Sequence, residues 1–265
     1  MFLLKTDQFP GNSGDLTYRL NESLRDVFEL PRDPVVVQES GYPHLSALTV
    51  SLDGAEVKRQ APAIPSVSGN AVPALTVDSF NVSGSGLAVG PATIDFKLEA
   101  AGLELRQATN RDGNIVLLLH NAAQGRIDIS TAIADLESLI GEVVASEAGK
   151  HGVAVDKVQL SLTSNGPRSL AAEVRLRGRK LFMSASLRIA GAVDLDDKLN
   201  ARVSGLDCTG DGAIASVACG ILKPQLQKID GRVFPLMSLP IGEVRLRDVR
   251  IATGEKLSVT AEFAS

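Results

Sequence analysis

The sequence predicts an α+β fold in which a long, curved, mostly antiparallel sheet wraps around amphipathic helices. Three observations carry that prediction. From Val158 onward, apolar and polar residues alternate with period two through four consecutive runs, the pattern of half-buried strands in an antiparallel meander. Three other stretches place apolar residues at helical spacing. The interior they share must be aliphatic, because aromatic residues are only 4% of the chain and tryptophan is absent.

The first helix is predicted over 15–29, with Leu16, Leu20, Leu24, Val27 and Phe28 on one face and Pro31 ending it. Strands follow near 48–52, 75–82, 94–98, 103–105 and 115–120. The Pro-, Ala-, Ser- and Gly-rich segment 60–73 reads as an exposed loop. The glycines of 84–90 superficially resemble a dinucleotide-binding loop, but no helix follows them, so a turn is expected. A second helix is predicted over 131–150, capped by Ser130 or Thr131, striped by Ile133, Leu136, Ile140, Val143 and Val144, and stopped by Gly152.

The meander then runs through Val158, Leu160 and Leu162; Leu170, Ala172, Val174 and Leu176; Met183, Ala185, Leu187 and Ile189; and Leu199, Ala201 and Val203. A third helix opens after Asp211-Gly212, with Ile214, Val217, Ile221, Leu222, Leu226 and Ile229 on one stripe and a kink expected at Pro224. The closing strands carry Val244 and Leu246, then Val249 and Ile251 after a phase slip, then Leu257 to Phe263. An equivalent slip separates Leu75 and Val77 from Phe80 and Val82, and such slips suggest β-bulges. The eight-position match hints at an internal duplication, so 1–265 reads as one elongated α+β domain that two pseudo-repeats, about 1–128 and 129–265, would compose.

At 265 residues the chain can bury a substantial core. Residues 1–150 hold 11 Lys and Arg against 19 Asp and Glu, whereas 151–265 hold 16 against 12, so the halves differ in sign. No apolar run approaches the ~20 residues of a membrane span, and the start lacks a secretory pattern. The location expected on this basis is cytoplasmic or membrane-peripheral. Cys208 and Cys219 match no zinc spacing, and two buried thiols are expected, with a bridge between them as the alternative.

No catalytic centre is legible. His44, His120 and His151 are scattered, the acidic turn at Asp194, Asp196 and Asp197 lacks the spacing of a calcium loop, and no nucleophile elbow, Walker loop or zinc-protease motif occurs. A non-enzymatic protein without cofactor or metal is therefore expected. The low aromatic content argues against nucleic-acid partners. A basic face formed by Arg175, Arg177, Arg179 and Lys180, with Arg188 and Arg202 beside it, would attract anionic headgroups. The alternative is an ordinary solvated face, since Glu173, Glu243 and Asp248 are interleaved.

The order of helix, meander, helix and closing strands, together with Gly41-Tyr42-Pro43-His44-Leu45 and the late Leu236-x-x-Leu239-Pro240-x-Gly242-x-x-x-Leu246-x-x-Val249, resembles the tubular lipid-binding superfamily. The likeness is nearest to the bacterial LmeA-like phospholipid-binding proteins. It implies an apolar groove between helix and sheet that holds a phospholipid or another long apolar ligand. The implied lining is Ile133, Leu136, Ile140 and Val144 of one helix, Val217, Ile221 and Leu222 of another, and Leu160, Leu162, Val174 and Leu187 of the meander. The same residues would equally build the packed core of a structural or protein-interaction module of the cell envelope.

Overall fold

The computed structural model describes residues 2–60, 67–150, 152–180, 183–236 and 244–265. The chain opens with β1 (Phe2–Leu3), α1 (Ser13–Val27), β2 (Phe28–Glu29), β3 (Val35–Gly41), β4 (His44–Ser51) and β5 (Glu56–Val57). Three long strands follow: β6 (Val67–Val89), β7 (Ala92–Asn110) and β8 (Ile115–Ala132). Next come α2 (Ile133–Gly149), the meander β9 (Ala154–Gly166), β10 (Ser169–Lys180), β11 (Met183–Leu195) and β12 (Asn200–Asp211), and α3 (Ala213–Ile229). The chain closes with β13 (Val233–Pro235), β14 (Arg245–Thr253) and β15 (Lys256–Ala264).

The fold is α+β with mostly antiparallel pairing and no closed barrel. One sheet follows the order β14-β15-β8-β7-β6-β4-β3, and a second the order β13-β12-β11-β10-β9. β4 and β5 run parallel to β6. Contacts divide the chain into two compact units: residues 1–129 with 240–248 and 260–265, and residues 130–239 with 249–259.

In the first unit, α1 begins where Asn12 accepts a hydrogen bond from the Asp15 amide at 2.9 Å, satisfying one of the free amides of a helix start. Its buried stripe is Leu16, Leu20 and Leu24, each contributing roughly 1.5–3 kcal/mol on burial. Asn21 on the same face is buried and accepts from the Val35 amide at 3.1 Å, tying α1 to β3.

The long hairpin of β6 and β7 corrects three expectations. Residues 67–73, expected in a loop, belong to β6, with the register interrupted on both sides of Pro73, where the ring cannot donate to a ladder; residues 61–66 of that loop lie outside the described residues. The glycines of 84–89 are likewise strand, and the turn falls at Gly90-Pro91. The slip at Asp78-Ser79 is not a bulge. Pairing continues in one register from Leu75↔Leu105 through Val77↔Leu103, Ser79↔Ala101 and Val82↔Leu98. Gly102, opposite the slip, takes φ +61°, a backbone conformation that costs glycine little.

Next to β8 in the same sheet, Phe263 of β15 lies across Gly125 of β8, where a Cβ would collide with the ring. Thr260 donates to Asp128 at 2.6 Å, and the Ala122 amide donates to the Ser265 hydroxyl at 3.2 Å. The Arg126 guanidinium, bound bidentately to Asp128, holds that carboxyl below the usual range, with the Thr260 hydroxyl acting in the same direction.

In the second unit, the meander takes the predicted alternation, with Val174 paired to Leu160 and Ile189, and Leu176 to Leu187. The acidic turn is closed by Asp196, which accepts from the amides of Lys198 and Asn200 and from the Asn200 side chain. The edge strand β9 is met by α2, whose Glu137 accepts from the Leu160 amide at 2.7 Å. This consumes a donor that an edge would otherwise leave free. Ser130 and Thr131 do not cap α2; both lie in β8, and Ala132 holds the cap position without a side-chain bond. α3 packs on β12 and β11 and carries Pro224 within its length.

The cysteines are not free thiols. Cys208 of β12 and Cys219 of α3 form a disulfide, with 5.4 Å between their Cα atoms. Sequence spacing alone does not encode that distance, because it depends on α3 folding back over the strand that precedes it.

Candidate functional site

The predicted lining residues divide into two groups. Ile133, Leu136, Ile140 and Val144 of α2 are all half-buried, as are Leu160, Leu162, Val174 and Leu187 of the meander and Leu222 of α3. Val144 and Leu187 meet across a cavity of about 100 Å³ whose wall also includes Leu176, Ala215 and Ala218. That space is smaller than the ~300 Å³ at which small-molecule sites begin. Val217 and Ile221 do not face it. They are 65% and 70% exposed, while Ala215 and Cys219 form the buried side of α3. The predicted stripe therefore mixed two faces of a helix that is apolar on both, and the disulfide marks which face is inward. Ile214's side chain lies outside the described residues.

The basic face is balanced by acids. Glu173 binds Arg175 at 2.7 Å and also binds Arg188, the cross-strand partner of Arg175. The Arg188 guanidinium, with Arg175 adding to it, holds the Glu173 carboxyl below the usual range. Arg179 pairs with Asp156 at 2.8 Å. Arg177 is exposed, with its stem beside the small cavity. Lys180 lies in β10, and its side chain is outside the described residues, as are His151, Leu239, Pro240 and Gly242.

The larger apolar space lies in the first unit, where the sequence offered no candidate site residue. A cavity of about 330 Å³ sits between α1 and the sheet. α1 contributes Leu20 and Leu24, β4 contributes Leu48 and Val50 with Leu52 just beyond it, and β6 contributes Leu75, Phe80 and Val82. The remaining wall is Phe2, with Phe96, Leu98, Leu103 and Leu105 of β7 and Leu117 and Leu119 of β8. Every lining residue is aliphatic or phenylalanine. The phase slip explains the enclosure: Leu75 and Val82, which strict alternation would send to opposite faces, line the same space.

This lining offers no side-chain hydrogen bond and no charge, so burying a polar group against it would be costly. At ~30 Å³ for each water-sized group, the volume corresponds to about eleven such groups. That volume lies at the lower end of the ~300–1,000 Å³ typical of small-molecule sites. Among the described residues no three His, Cys, Asp or Glu side chains gather as a metal cluster, and no helix is long and apolar enough to cross a membrane.

The chain matches no family model, no curated protein and no solved structure.

Proposed function

We propose that this protein binds a single-chain apolar ligand, such as one acyl chain, in the cavity between α1 and the long-stranded sheet, without chemical conversion. The observation that carries the reading is a 330 Å³ space with an entirely apolar wall. Filling it at ~24 cal/mol per Å³ would be worth about 8 kcal/mol, which places the ceiling on affinity near micromolar before the cost of immobilising the ligand. The likeness to tubular lipid-binding proteins, drawn from element order, supports the same ligand class. The apolar space that Val144 and Leu187 line is about 100 Å³, less than a third of the cavity beside α1.

The disulfide supports an oxidising compartment as the place of action, in contrast to a reducing cytoplasm.

Native mass spectrometry of gently purified protein, followed by titration with a dodecyl-chain fluorescent probe, tests the reading. A bound apolar species, or saturable one-to-one probe binding that competing fatty acid displaces, is expected. Protein that carries nothing and leaves the probe unbound would refute it and favour a packed structural module.

A further inference from the structure

α3 is apolar on two opposite faces. Ala215 and Cys219 are buried against the sheet side, with Leu222 and Leu226 half-buried beside them. On the opposite side, Val217, Ile221, Pro224 and Lys228 follow one another at spacings of four, three and four residues, and all four are exposed. At 100° per residue these positions fall within one narrow stripe. A surface helix normally turns charged residues outward, so the exposed Val217 and Ile221 on this side call for a second apolar surrounding. The stripe's two large apolar residues, Val217 and Ile221, are 65% and 70% exposed.

The charge on the helix selects the surrounding. α3 contains Lys223 and Lys228 and no acidic residue. Arg232 follows, and the neighbouring Asp230 has its carboxylate engaged with the Leu206 amide at 3.0 Å. Protein interfaces are depleted of lysine and anchored by aromatic residues and arginine. Within α3 the outward stripe has the reverse composition: it holds no aromatic residue and no arginine, and lysines stand on it and beside it. That composition suits a helix lying in a bilayer interface, with its apolar side in the acyl boundary and its ammonium groups among anionic headgroups.

We infer that the outward face of α3 docks on an anionic bilayer surface. This surface is distinct from the ion-paired arginines of the meander, and the inference stands independently of the proposed ligand cavity. Docking would leave the disulfide-bonded face of α3 on its own sheet, so no unfolding is required.

The chain has no tryptophan, so Ile221→Trp introduces a single reporter on the stripe. Vesicles of phosphatidylcholine alone are compared with vesicles that also contain phosphatidylglycerol, by Trp emission for this variant and by co-sedimentation for the unaltered protein. A blue shift and co-sedimentation with the anionic vesicles only, both weakened by salt, are expected. Lys223→Ala and Lys228→Ala should each reduce affinity about fivefold, the equivalent of ~1 kcal/mol per cation near a charged surface. Val217→Glu with Ile221→Glu should abolish binding while circular dichroism stays unchanged, since both side chains are exposed. Equal binding to both vesicle types, or to neither, would overturn the inference. So would a dimer that the double Glu variant dissociates in the absence of vesicle binding, because the stripe would then meet a second copy of the chain.

Discussion

Adding methylenes to the wall of the first unit's cavity distinguishes an empty space from a packed core by the sign of the effect. Val50 and Val82 both line the cavity and are register partners on β4 and β6. Val50→Ile and Val82→Ile each add one methylene while keeping the β-branched shape that suits a strand. If the added group enters free volume, each contributes about 0.8 kcal/mol, or roughly 1.6 kcal/mol together if neighbour coupling is small. In a filled core the same change would cost about 1–3 kcal/mol. The two tyrosines, Tyr18 and Tyr42, both belong to the first unit, so tyrosine fluorescence during urea unfolding reports on that unit. With a denaturant slope near 2 kcal/mol/M, the double variant should unfold about 0.8 M later. Its affinity for a dodecyl-chain probe should fall about fourfold per methylene, because the ligand then has less wall to cover. A lower midpoint would refute the empty-cavity argument, and a raised midpoint with unchanged probe binding would place the ligand elsewhere.

Four further outcomes are expected. Replacing both Cys208 and Cys219 with Ala removes a bridge between residues 11 apart and should cost about 3 kcal/mol, visible as faster hydrogen exchange in β12 and α3; unchanged exchange would show that packing alone holds α3. Glu137→Ala should accelerate exchange of the Leu160 amide and cost about 1–2 kcal/mol, whereas Glu137→Gln should keep most of the protection. Gly125→Ala should destabilise the first unit by about 1–3 kcal/mol through collision with Phe263, and adding Phe263→Leu should recover part of the loss. Burial, with Asp15 and Glu39 adding to it, pushes the Tyr42 phenol from 10.0 up to about 12, so the stability it contributes is complete below pH 10 and is lost as pH rises toward 12. Tyr42→Phe should remove an absorbance step near pH 12, and a wild-type titration without that step would refute the shift.

The meander was the most legible part of the chain because each strand keeps one face to solvent and is joined to the next by a short polar turn, so period two survives from Val158 to Val203. The long strands were not. Val67 to Pro73 read as a loop because proline and glycine are poor strand residues in general, yet register breaks on either side of Pro73 accommodate them. The slip at Asp78-Ser79 looked like a bulge because one strand's pattern cannot show that its partner changes phase at the same level. Phe80 sits opposite Ala100 in undisturbed register. The cavity was missed for a related reason: leucines that line a space and leucines that fill one have the same periodicity. In α3, Val217 and Ile221 satisfy helical spacing as well as Ala215 and Cys219 do. Only packing against β12 distinguishes the faces.

The contacts of β15 also fix a timetable for synthesis. Asp128 waits for Thr260, and Ala122 for Ser265, partners 132 and 143 residues further along. At ~5–20 residues per second, that interval is roughly 7–29 seconds during which the nascent chain has made β8 but not the strand that pairs with it. The second unit's meander and helices emerge entirely within the interval, so they can fold while the first unit still lacks its final strand. A ribosome stalled near residue 239 would leave Gly125 without its Phe263 cover and an unpaired strand edge open to whatever chaperone or neighbouring chain reaches it first.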